Sequence, residues 1–162
     1  MVLVYSFLVA WFSLMLVICA PKKLPVITNV LAYLILSILD INKLALLAYY
    51  WEKVKINTGL AEFWSVILFR NGTFTLALIA FINVWLTAQR SSVRWGYAIF
   101  TYAFIMFSCQ LLHWFDALSY NSFGVWFDYT CLLLLLILSV WIGKLCVYLV
   151  KKGGYGSGEY RI

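Results

Sequence analysis

The sequence predicts an all-α fold: a polytopic transmembrane helical bundle of about five spans, N-terminus outside and C-terminus inside. Three observations predict it. The 162 residues are 65% hydrophobic and 11% charged, with a mean hydropathy of +0.96, against roughly 45 to 50% apolar and about 25% charged in an ordinary soluble domain. No water-soluble fold hides that much apolar surface. The apolar residues fall in runs suited to a hydrocarbon core of about 30 Å, and the basic residues stand between those runs, as orienting charges do. With no long polar block, the chain makes one domain.

Val2 to Ala20 carries no charged residue and measures about 28 Å as a helix, enough to cross. No basic stretch precedes it, as in a cleavable signal, and Pro21-Lys22-Lys23 follows it as a basic anchor, so it reads as an uncleaved first span. Bulky Ile18 before Cys19 denies that cysteine a lipoprotein context. The second span is read over residues 25–41. About 22 Å along it come Asp40, Asn42 and Lys43, placed at the outer interface. Residues 44–62 mix Tyr49, Tyr50 and Trp51 with Glu52, Lys53 and Lys55 and break at Asn57-Thr58-Gly59, the pattern of an interfacial amphipathic segment and loop.

The third span is read over residues 64–87, with Arg70-Asn71-Gly72 inside its start, where an arginine snorkels outward; a start after Gly72 is the alternative. Arg90 and Arg94 bound a cytoplasmic hairpin before the fourth span, residues 95–114. Phe115 to Phe127 reads as an external loop. The last span covers residues 128–149, with Lys144 reaching the inner headgroups, and residues 151–162 form a flexible, basic, Gly-rich cytoplasmic tail. This topology puts eight of the 12 Lys and Arg inside and four, Lys43, Lys53, Lys55 and Arg70, outside, in line with the positive-inside rule. No internal repeat of the inverted-transporter kind is present.

A net charge of +6 does not indicate nucleic acid, because the basic residues form no stripe on a soluble face. Membrane lipid headgroups are the expected counter-charge. The four cysteines include no CxxC pair and only one His accompanies them, so zinc spacing is lacking and the thiols read as small buried hydrophobes. The 12 Phe, 11 Tyr and 8 Trp include end-of-span residues, Trp51, Trp95, Trp114 and Trp126, that an interfacial belt explains. No GxGxxG, P-loop lysine, GxSxG or HExxH occurs. No cofactor and no metal are expected.

Three constellations are candidates for chemistry. Asp40 and Lys43, three apart, share a helix face and either pair within the bundle or cap a helix end at the headgroups. Gln110, His113 and Asp116 recur at three-residue spacing, which suits a proton relay or partial metal site, or else ordinary interfacial residues. Arg70 and Asn71, with Glu62 eight residues earlier, either form a polar pocket beneath the outer surface with Asp40 or Asp128 or each reach interfacial water.

The opening helix with Pro21-Lys22-Lys23, Asp40, Glu62-Phe63, Phe81-Ile82-Asn83, the run from Gln110 through His113-Trp114-Phe115-Asp116 to Tyr120, and Trp126 together resemble an uncharacterised family of small bacterial membrane proteins with five helices. That family usually has a glutamate at the Gln110 position and a proline near Asn71-Gly72. The resemblance implies fold and topology and carries no activity or catalytic residue. The expected function is therefore a non-enzymatic accessory, sensory or scaffold component of a bacterial plasma membrane, packed with a membrane-protein partner or its own copies. A channel or transporter protomer with a polar cavity in the outer half of the bundle is the first alternative, and a membrane enzyme acting on a lipid-linked substrate through His113 and Asp116 is the second.

Overall fold

A computed structural model describes residues 1–20, 24–57, 59–121 and 123–153. Five helical stretches, Val2–Cys19, Val26–Tyr50, Leu60–Thr87, Ser91–Trp114 and Gly124–Lys152, are each long and apolar enough to cross a membrane, so the chain is an all-α bundle of five candidate spans. We label them α1 (Val2–Cys19), α2 (Val26–Ala45, continued by a π-helical turn, Leu46–Tyr50), α3 (Leu60–Leu68), α4 (Thr75–Thr87), α5 (Ser91–Trp114) and α6 (Gly124–Lys152). A second π-helical turn, Phe69–Phe74, fuses α3 and α4 into one span. The Pro21-Lys22-Lys23 anchor and residues 154–162 lie outside the described residues.

The α3–α4 span is the axis of the molecule. Every residue from Ala77 to Val84 is buried, and a helix apolar and buried all round belongs at the centre of a bundle. The other helices surround it: α1 packs along α3, the π-turn and α4, while α2, α5 and α6 each touch α4. They bury stripes instead. In α2 the stripe is Thr28, Ala32, Leu36 and Asp40, spaced by four, the step that keeps side chains on one helix face. In α6 it runs Leu132, Leu135, Leu136, Ser139, Ile142, Gly143 and Cys146. A Cβ on Gly143 would lie 2.5 Å from Ile82 Cγ2. Lipid supplies little hydrophobic drive between helices, and such close approach at a small residue is what holds them. The opposite faces expose Trp11, Ile38, Phe107 and Trp141, as surfaces against hydrocarbon do.

Two connections differ from the sequence reading. Residues 44–62 are not a single amphipathic segment and loop: α2 continues past Lys43 through its π-turn to Tyr50, strand β1, Val54–Ile56, follows, and α3 begins at Leu60. Residues 115–127 are not simply loop, because Leu118–Tyr120 forms β2 and α6 begins at Gly124. The strands pair antiparallel, Val54 with Tyr120, Lys55 with Ser119 and Ile56 with Leu118. Asn121 N–H to Lys53 O (2.9 Å) and Asn57 N–H to Ala117 O (3.2 Å) lengthen the ladder. Period-two alternation turns Val54 and Leu118 into the bundle and Lys55 and Ser119 outward.

Glu52 and Asp116, one before each strand, have φ of 49° and 53°; these left-handed residues turn the chain out of its helix and into the ribbon. Gly124 is confined for another reason, since a Cβ there would clash with the Lys53 carbonyl oxygen. The α3–α4 span starts at Leu60 and runs without a break through Gly72, and α6 reaches Lys152, so both outrun the hydropathy limits. Their ends are held by the ribbon and by intrahelical hydrogen bonds, which hydropathy does not register.

Candidate functional site

Beneath the ribbon lies a cluster of four charges built from three spans. Asp40 comes from the buried stripe of α2, and Lys43, one turn on, shares its face. Arg70 comes from the π-turn of the central span and Asp128 from the first turns of α6. The Arg70 Nε–H donates to Asp40 Oδ2 at 3.0 Å. Lys43 Nζ donates to Asp128 Oδ1 at 3.1 Å and stands 3.5 Å from Asp40 Oδ1, while Tyr120 of β2 donates its hydroxyl to Asp128 Oδ2 at 2.9 Å. The ammonium also lies 5.3 Å from the Phe74 ring centroid, within cation–π range. Asp40 and Asp128 are only 3% and 5% exposed.

Two cations and two carboxylates make the cluster neutral, which is how buried charge is tolerated. Asp40 bridges the two cations and Lys43 bridges the two acids, so the four groups form one chain. The π-turn makes this geometry possible. Its widened backbone leaves the Arg70 carbonyl to accept both the amide and, at 2.9 Å, the hydroxyl of Thr75, and it sets Gly72 against Ala10 of α1. π-bulges occur frequently at functional sites. The cluster, with Cys109 of α5 and Val54 and Leu118 of the ribbon, lines a cavity of about water-molecule size. Burial lifts the Tyr120 phenol far above its ordinary value, and Cys109 and Asp128 add to the effect, so it stays a neutral donor.

Of the residues singled out from the sequence, Asp40, Lys43 and Arg70 come together, and Asp128 is the acid that completes them. The others lie elsewhere. Glu62 is half-buried in the first turn of α3, where its charge favours the helix N-terminus. Asn71 turns to the surface, and only its backbone carbonyl is engaged, by the Tyr33 hydroxyl at 3.1 Å. Gln110 is exposed and accepts from the Tyr129 hydroxyl at 3.1 Å. His113 donates from Nδ1 to the Leu118 carbonyl at 2.9 Å, and its ring meets Tyr120 edge-on at 5.4 Å. Asp116 is an exposed corner whose carbonyl accepts from Asn57.

The relay spacing of Gln110, His113 and Asp116 therefore does not become a relay, because α5 ends at Trp114 and a left-handed residue cannot keep the helical face. Among the described residues, no three His, Cys, Asp or Glu converge as metal ligands. Sequence reasoning missed Tyr120 and Cys109. The alternations Val54-Lys55-Ile56 and Leu118-Ser119-Tyr120 were the available signal, and they are only three residues long.

The fold and the cluster define a class: a multi-pass membrane bundle with a neutralised charge cluster buried under a short extracore ribbon. No family model, no curated protein and no solved structure matches the chain.

Proposed function

We propose that this protein is a non-enzymatic accessory, sensory or scaffold component of a bacterial plasma membrane, packed against a partner membrane protein or another copy of itself. The observation that carries this reading is Asn71. Its side chain is exposed on the surface of the bundle, 11 residues after Leu60 and 16 before Thr87 in the central span. An amide facing hydrocarbon lacks hydrogen-bond partners, and a neighbouring span supplies them. The charge bookkeeping supports an N-out, C-in orientation, and the resemblance supports a bacterial membrane.

The experiment is gentle purification from native membranes with mass spectrometry of co-purifying species, on wild type and Asn71→Leu. A stoichiometric partner or homo-oligomer lost in the variant, with the monomer still folded, supports the reading. Association unchanged by Asn71→Leu refutes the role of that surface.

A channel or transporter protomer is the second reading, favoured by the four charges around a cavity at membrane depth. Neutralising Asp40 or Arg70 should then abolish a flux in proteoliposomes that the folded wild type supports. Unchanged flux removes these residues from any pathway.

A further inference from the structure

We infer that one water molecule is bound between α1, α5 and the π-turn of the central span, where it joins the hydroxyls of Ser6, Thr73 and Ser108. These three residues line one small cavity together with Val2, Leu112 and Phe115. Its interior has room for about one water molecule. Aromatic pairs close it: Tyr5 and Phe115 stack with ring centroids 5.0 Å apart, and Phe12 meets Phe104 at 5.5 Å. None of the four clustered charges lines this cavity, and neither functional reading above uses it.

Thr73 sets the demand. It is 1% exposed, and its Oγ1 has no hydrogen-bond partner among the described residues. The other hydroxyls of the same span donate back to carbonyls of their own helix, Ser65 to Ala61, Thr75 to Arg70 and Thr87 to Asn83. In the widened π-turn Thr73 makes no such bond. Buried polar groups of native proteins are satisfied by protein atoms or by ordered water. The neighbours decide what fits. Ser6 and Ser108 have spent their single hydrogens on Val2 O at 3.1 Å and Phe104 O at 2.8 Å, yet each oxygen keeps acceptor capacity. The cavity therefore offers one donor and two acceptors. Water matches that set: it accepts from Thr73 and gives its two hydrogens to Ser6 and Ser108, three bonds in all, the usual number for a buried water. An anion would find no cation in the lining, and a metal cation no carboxylate. Bound in this way, the water ties the π-turn that carries Arg70 to a helix on either side.

The test is hydroxyl-radical labelling. Wild-type protein in lipid nanodiscs is mixed with heavy-oxygen water for milliseconds and pulsed with X-rays, and the hydroxyl groups added to its side chains are read by mass spectrometry. A bound water exchanges slowly, so Phe115 carries light oxygen while exposed Tyr49 takes the heavy isotope from bulk. Thr73→Val, which keeps the shape, removes the light label at Phe115 and leaves Tyr49 as it was. In unfolding titrations the same variant raises the unfolding constant about 2- to 10-fold, the worth of one hydrogen bond. Ser6→Ala and Ser108→Ala couple to it and to each other, each costing less once another is in place, because all three bonds run through one molecule.

Absent or heavy label at Phe115 in wild type, or light label that survives Thr73→Val, overturns the water site. Additive costs for Ser6→Ala and Ser108→Ala overturn the bridge, and coupling of Thr73 to one serine alone overturns it in favour of a direct hydroxyl contact. The isotope measurement on wild type needs no variant, so it decides even where Thr73→Val fails to fold.

Discussion

Lys43 is the charge to remove first, because it ties Asp128 to the rest of the cluster. Lys43→Met keeps the length of the side chain and its contact with Phe74 but leaves Asp128 with only the Tyr120 hydroxyl, at 7% side-chain exposure. Breaking a buried pair by deleting one partner costs about 3 to 5 kcal/mol. Asp128→Asn alone should cost a similar amount, since Lys43 then leans on an Asp40 already shared with Arg70. The double variant Lys43→Met/Asp128→Asn restores neutrality with Asp40 and Arg70 still paired, so its cost should fall short of the sum by about 1 to 3 kcal/mol. Reversible unfolding in mixed micelles, followed by tryptophan fluorescence, measures all three. Single costs below about 1 kcal/mol, or strict additivity, would refute the cluster as a coupled unit.

Further outcomes follow from the same geometry. Gly143→Ala drives a methyl into Ile82 Cγ2 and should cost about 1 to 3 kcal/mol; adding Ile82→Ala should then cost less than it does in wild type, as paired unfolding titrations will show. Tyr120 holds its proton more tightly in the folded state, so its share of stability is complete below the ordinary phenol value of about 10 and is lost as pH rises above it. Tyr120→Phe should flatten that alkaline decline, and an unchanged slope counts against a buried phenol. An impermeant thiol reagent on intact cells should label Lys55→Cys but reach Ser92→Cys only after lysis, each in a cysteine-free background. The opposite pattern reverses the N-out, C-in orientation.

The five apolar runs were legible because hydropathy over about 20 residues is a local property. So was the shared face of Asp40 and Lys43, fixed by helical spacing, although an ion pair and a helix end at the headgroups stood as alternatives. A pocket of Arg70 with Asp40 or Asp128 likewise stood beside separate contacts with interfacial water. The length of α2 was not legible. Asp40 and Lys43 looked like a helix end because isolated charges stop a span, yet here partners 30 and 85 residues away neutralise them and the helix continues. Tyr120 escaped for a related reason: it reaches Asp128 only through strand pairing across more than 60 residues, and neither strand is long enough to announce itself. The exposure of Asn71 beside half-buried Arg70 depends on the π-turn, which shifts facing by about one residue relative to a regular helix and leaves no mark on the apolar periodicity.

The order of the cluster along the chain has a consequence for biosynthesis. A ribosome adding about 5 to 20 residues per second places Asp40 and Lys43 in the nascent chain first, Arg70 next, and Asp128, 85 residues after Lys43, several seconds later. Until then the assembling spans hold two cations and a single carboxylate, one positive charge in excess. Insertion of α6 cancels it, and the same span delivers the partner of Tyr120 just after β2 has emerged to close on β1. The last helix thus completes the charge balance beneath a ribbon whose two strands are already present, and a chain stalled before it would hold an unneutralised cation among its spans.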